Sequence, residues 1–79
     1  MRVIVQYYAM LREQVGRNEE LRETTAETVG GLYEELARVY RLTMPAGRVR
    51  AAINDEFVRW DTPLRDGDRV IFIPPVAGG

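Results

Sequence analysis

The sequence predicts an α+β domain in which a mixed β-sheet carries one main helix on one face. Three observations lead there. Both ends of the chain alternate: Val3, Val5 and Tyr7 share one side of a first strand, and Val70 and Phe72 share one side of a last one. Between them, Val29, Leu32, Leu36 and Val39, with Tyr40, make one apolar stripe at helical spacing. Turn chemistry then punctuates the second half, at Asn54-Asp55 and at Asp66-Gly67-Asp68. A helix with one stripe and a sheet with one apolar face bury each other.

The first strand spans about Arg2 to Ala9, and its other side, Arg2, Ile4, Gln6 and Tyr8, is mixed and partly wet. Leu11 to Gly16 reads as a turn or short helical piece closed by Gly16, and Asn18 to Thr24 as a second, polar strand. The main helix takes its N-cap from Thr28 or Thr24 and is over by Pro45 and Gly47. Gly30-Gly31 fall in its first turn, where each costs about 1 kcal/mol relative to Ala. Close approach of that turn to the sheet accounts for them. No Lys-Ser/Thr follows the pair and there is no GxGxxG, so a phosphate loop is excluded. Arg48 to Ile53 forms a third strand, Asn54-Asp55 a tight hairpin turn, and Glu56 to Trp60 a short fourth strand. Asp61 to Asp68 is turn, Arg69 to Ile73 is the last strand, and Pro74-Pro75 end it because neither donates to a ladder. The order is that of a β-grasp domain, with the first and last strands parallel and central. The domain covers 1–73, and 74–79 is an extended tail ending in Gly-Gly.

Composition excludes most chemistry. The 79 residues make one domain, which buries only about 60% of its unfolded surface and spares little for an internal cavity. With neither cysteine nor histidine, there is no disulfide, zinc-thiolate site, thiol nucleophile or imidazole base. The aspartates around Gly67, and Asn54, Asp55 and Glu56, read as turn formers, so no metal site is expected. The threonines have no partner base, so no triad forms. A net charge of −1 with interleaved signs argues against nucleic acid. No apolar run is long enough to span a membrane, and a cytoplasmic location is the default. All eleven basic residues are arginine. Composition bias accounts for that; so does a need to keep lysine amines away from an activated acyl group on the same chain.

One group stands out, the α-carboxylate of Gly79. At neutral pH it is ionised and able to attack the α-phosphorus of ATP, giving an activated acyl-adenylate. Pro74-Pro75 favour an extended, stiff stem. Val76 is a small anchor, Ala77 is small, and Gly78 and Gly79 have no Cβ, so a partner can close around the backbone. Six residues reach roughly 20 Å, enough to thread a channel. A frayed end is the bland alternative. Tyr8, Ile71 and Ile73, with Phe57, fall on the sheet face opposite the helix and suggest an apolar docking patch near the root of the tail.

The stretch from Asn54 to Gly79, with Asp66-Gly67-Asp68, Pro74-Pro75-Val76 and Gly78-Gly79 at a set spacing, resembles the molybdopterin synthase small subunit family. Val5 to Glu13 and Thr28 to Leu32 resemble it too. The resemblance implies a ubiquitin-like fold. It implies that Gly79 is adenylated by a ubiquitin-activating-like adenylyltransferase that consumes ATP, and that the chain binds no cofactor of its own. A sulfur donor, such as a cysteine desulfurase or rhodanese-like protein, would then give a thiocarboxylate. The tail would insert into the synthase large subunit and deliver sulfur to cyclic pyranopterin monophosphate. The family's hydrophobic contacts fall on Tyr8, Phe57 and Ile73. Alternatives are a related carrier for thiazole, tRNA thiolation or tungsten cofactor, a ubiquitin-like protein modifier, or a plain interaction module.

Overall fold

A computed structural model describes residues 1–75. Five strands form one sheet in the order β2-β1-β5-β3-β4. They are β1 (Arg2–Tyr7), β2 (Glu19–Glu23), β3 (Arg50–Ile53), β4 (Glu56–Val58) and β5 (Arg69–Ile73). β1 and β5 are parallel neighbours, with Val5 level with Val70 and Tyr7 level with Phe72; every other pairing is antiparallel. The mixed sheet and the adjacency of first and last strands are as the sequence predicts.

The alternating residues divide as expected. Val3, Val5, Tyr7, Val70 and Phe72 are buried against α2 (Val29–Tyr40). The helix stripe needs correction. Val29, Leu32 and Leu36 are buried, but Val39 is 54% exposed and Tyr33 takes the inner position instead. Steps of three residues drift around a helix of 3.6 residues per turn, so Val39 is carried to the edge of the seam. Tyr33 instead meets Phe72 edge-on at 5.2 Å and Trp60 at 5.5 Å, and Trp60 stacks on Phe72 at 6.0 Å.

Thr28 is the N-cap, its Oγ1 accepting from the Gly31 N–H at 3.1 Å. Thr24 serves its own turn: its hydroxyl oxygen accepts from the Ala26 N–H. Gly30 is held against the Trp60 loop and not against the sheet. Its N–H donates to the Trp60 carbonyl at 2.9 Å, and a Cβ there would lie 3.0 Å from that same oxygen.

Three boundaries shift. β1 stops at Tyr7, because Ala9 takes a left-handed φ of 51° and starts α1 (Ala9–Val15), which Gly16 closes at φ 87°. β3 starts at Arg50, after a 3₁₀ turn at Ala46–Arg48. β4 ends at Val58, leaving Trp60 in the loop. The turn formers act as turn formers. Asn54 and Asp55 both have positive φ, as a tight two-residue hairpin requires. Asp68 accepts from the Arg65 N–H and from the Asn54 amide, and Asp66 accepts from the Arg2 N–H at 2.7 Å.

β2 is polar because its inner side holds ions. Glu20 and Arg22 face α2, where Tyr7 and Tyr40 both donate to Glu20 and Arg22 pairs with Glu35 at 2.7 Å. The Thr24 hydroxyl completes the set by donating to Glu35 at 2.7 Å. No side-chain nitrogen or oxygen buried among the described residues lacks a partner. No helix among them is long and apolar enough to cross a membrane.

Candidate functional site: an apolar groove at the root of the tail

Parallel pairing decides which residues lie beside the tail. Tyr7 is level with Phe72, so the chain leaving β1 and the chain leaving β5 start side by side. β1 turns away through Tyr8 and the left-handed Ala9 into α1, while β5 runs on to Pro74 and Pro75. Between them lies an open groove of about 700 Å³. Tyr8, Ala9, Met10 and Arg12 form one wall; Ile71, Ile73, Pro74 and Pro75 form the other. Among the described residues, Arg12 is the one charged side chain lining it.

Tyr8 is 47% exposed and caps α1 with extended backbone, its carbonyl accepting from the Leu11 N–H at 3.1 Å. Ile71 is only 9% exposed, so it forms the floor of the groove and not an outward contact. Ile73 is half-buried, Pro74 buried and Pro75 exposed.

The structure thus brings Tyr8, Ile71, Ile73, Pro74 and Pro75 together, but not Phe57. Phe57 lies on the same sheet face, across Ala52 from Ile71, and is 59% exposed. It lines a separate cleft with Val49, Arg50 and Trp60, and the Arg50 guanidinium stands 4.1 Å over its ring. Val76, Ala77, Gly78 and Gly79 lie outside the described residues. Sequence reasoning missed Ala9, Met10 and Arg12. The signal was available: once the end strands are taken as parallel neighbours, the five residues after the first must flank the residues after the last.

A five-stranded mixed sheet with a main helix across one face and a groove at the end of the last strand defines a ubiquitin-like β-grasp domain. The chain belongs to the ThiS family, whose model matches residues 5–79. It is 37% identical to the molybdopterin synthase sulfur carrier subunit of Escherichia coli, over 95% of this chain and 96% of that one. It is 38% identical to the subunit of that name from Mycobacterium tuberculosis, over 100% of this chain and 99% of that one. Among solved structures, it resembles a putative molybdopterin converting factor, subunit 1, from Pyrococcus furiosus at TM-score 0.78, 31% identity and 96% and 99% coverage. It also resembles the small archaeal modifier protein 1 of Methanosarcina acetivorans at TM-score 0.78, 26% identity and 99% and 96% coverage. A third likeness is to a complex of subunits 1 and 2 of molybdopterin-converting factor from Helicobacter pylori, at TM-score 0.69 and 28% identity, with both chains fully covered.

Proposed function

We propose that this chain is a sulfur carrier of the molybdopterin synthase kind, inert alone and working through the carboxylate of Gly79. The observation that carries the reading is the apolar groove at the root of the Gly-Gly tail, in a chain similar along its whole length to named sulfur carrier subunits. A carboxylate oxygen of Gly79 attacks the α-phosphorus of ATP on an activating adenylyltransferase, and pyrophosphate leaves. A persulfide sulfur from a desulfurase or rhodanese-like donor then displaces AMP. Reductive cleavage of the acyl disulfide by a thiol leaves the thiocarboxylate. The tail enters the synthase large subunit, where sulfur passes to cyclic pyranopterin monophosphate. ATP is consumed on the partner, so this chain needs no cofactor.

Tyr8, Ile71 and Ile73 line the surface on which the large subunit or the activating enzyme settles, while Val76, Ala77, Gly78 and Gly79 thread the active site. The exposure of the groove supports this: a half-exposed Tyr8 beside an apolar floor is the kind of anchor that dominates binding energy. The likeness to the archaeal modifier protein favours a second reading, in which the same adenylate ends as an amide on a target amine.

Intact-mass analysis after incubation with ATP, the activating enzyme and a sulfur donor tests both. The carrier reading expects one oxygen replaced by sulfur at Gly79, and loss of that product when Gly79 is deleted. Conjugates without any thiocarboxylate would decide for the modifier, and an unchanged mass would sink both.

A further inference from the structure

We propose that Arg50, held on the exposed ring of Phe57, is a specificity-determining carboxylate receptor: it selects a large subunit that sets an Asp or Glu beside the apolar side chain filling the groove. This rests on the reading that the large subunit settles on this face of the sheet.

Strand pairing puts Arg50 at the flank of the groove. It is level with Ile73 on β5, as Ala52 is level with Ile71, so these four side chains share the sheet face turned away from α2. Side chains directly opposite each other on antiparallel strands lie about 5 Å apart at Cβ. On its other side, β3 carries β4 and Phe57. Arg50 therefore stands at the boundary between the apolar floor and the cleft of about 370 Å³ that it lines with Phe57 and Trp60.

Two arginines stand over aromatic rings. Arg22, 5.9 Å from the Tyr40 centroid, is half-buried and already paired with Glu35. Arg50, 4.1 Å from the Phe57 centroid, is exposed, and among the described residues no carboxylate pairs with it. A guanidinium laid on a ring uses its face and leaves its N–H donors at the rim, in the fork that matches a carboxylate. The ring also restricts the side chain in advance, so less rotamer freedom is lost when a carboxylate arrives.

Charge points to the same occupant. The whole chain carries −1, yet among the described residues groove and cleft are lined by Arg12, Arg50 and Arg59 and by no acid. Arg59 is offset by Asp61 at 3.5 Å, which leaves Arg50 as the cleft's unspent cation. A small soluble anion would leave the apolar floor wet. The occupant must bury an apolar group and present a carboxylate at once, as a protein surface does.

The test follows association of the full chain with the synthase large subunit by surface plasmon resonance, at low and at high ionic strength. Wild type is expected to associate more slowly as salt rises. Arg50→Gln is expected to bind about tenfold more weakly and to lose much of that salt dependence, with its melting temperature unchanged. Arg50→Lys keeps the charge without the fork, so it is expected to restore the on-rate but not the slow dissociation. Wild-type affinity in Arg50→Gln, or full rescue by lysine, would overturn the proposal. Weakened binding to the activating enzyme with none to the large subunit would overturn the choice of partner. Tyr8→Ala separates this inference from the reading beneath it. Weak binding in Tyr8→Ala with wild-type binding in Arg50→Gln ends the inference alone, whereas wild-type binding in both ends the docking reading.

Discussion

Tyr8 stands where two parallel backbones part, one turning into α1 and the other running on to the tail. Next to it, Ala9 holds a left-handed φ of 51°, a conformation that costs a non-glycine residue on the order of 1–2 kcal/mol. That turn swings Met10 and Arg12 over the groove. Tyr8 contributes little to the core, since it is 47% exposed and outside the buried cluster. Tyr8→Ala is therefore expected to leave stability within about 0.5 kcal/mol while weakening binding to the proposed large-subunit partner by about 2 kcal/mol, roughly thirtyfold. Phe57→Ala is expected to weaken it less, because Phe57 is outside the groove and its exposed ring packs under Arg50. Titration calorimetry paired with thermal melts checks this, and equal losses from the two substitutions would count against the groove as the docking surface. The sequence showed Tyr8 and Phe57 as equivalent exposed aromatics. Only the path of the backbone through Ala9 separates them, and a left-handed alanine has no signature in sequence.

At the scale of elements, the N-terminus of α2 makes two adjacent glycines unequal. Its first amides are satisfied in turn: Val29 donates to the Thr62 carbonyl, Gly30 to the Trp60 carbonyl and Gly31 to Thr28 Oγ1. At Gly30 a Cβ would sit 3.0 Å from the Trp60 backbone oxygen, which cannot swing aside as a side chain can. At Gly31 the nearest atoms are Thr28 Oγ1 at 3.4 Å and Ala26 Cβ at 3.7 Å, ordinary contacts. Gly31→Ala is expected to stabilise by up to about 1 kcal/mol through helix propensity, raising Tm by roughly 4–8 °C. Gly30→Ala is expected to destabilise by about 1–2 kcal/mol, the range of a forced overpacking. Shifts of the same sign and size would refute this account of the helix entry. The pair was legible as a place of close approach, but not what approached it. The Trp60 loop is brought there by contacts distant in sequence, among them its stacking on Phe72. Tyr33, by contrast, was legible locally: it stands four residues after Val29 and three before Leu36, the spacing of the buried stripe. The strands and turns were legible because alternation and Asn-Asp or Asp-Gly chemistry are local.

Across the whole molecule, the ionic layer between β2 and α2 sets the pH range of stability. Burial alone would raise the Glu35 carboxyl, but hydrogen bonds from Arg22 and Thr24 outweigh it and hold the group below its ordinary 4.5. The folded chain therefore binds fewer protons than the unfolded one just below pH 4.5. That stability is fully present above 4.5 and is lost as pH falls through the lowered value. Tyr7 and Tyr40 work at the other limit. Burial first, and then the Glu20 carboxylate that accepts from both hydroxyls, push them above the ordinary 10.0. Their contribution is fully present below pH 10 and is lost as pH rises beyond it, because unfolding releases protons that the native state holds. Tm measured from about pH 3 to about pH 11 should thus show a plateau with two falling limbs. Glu35→Gln should flatten the acid limb alone. Tyr7→Phe should flatten the alkaline limb alone, with Tyr40 still donating to Glu20. An alkaline limb of unchanged steepness in the Tyr7→Phe, Tyr40→Phe double variant would move its origin elsewhere, to Tyr33, which burial also raises. The groove wall takes no part in this layer, since Glu20 and Arg22 lie on the helix side of the sheet and Tyr8 on the other. Substitutions that reshape the pH profile are therefore expected to leave partner binding at neutral pH unchanged, and a loss of binding in Glu35→Gln would show the two faces of the sheet to be coupled.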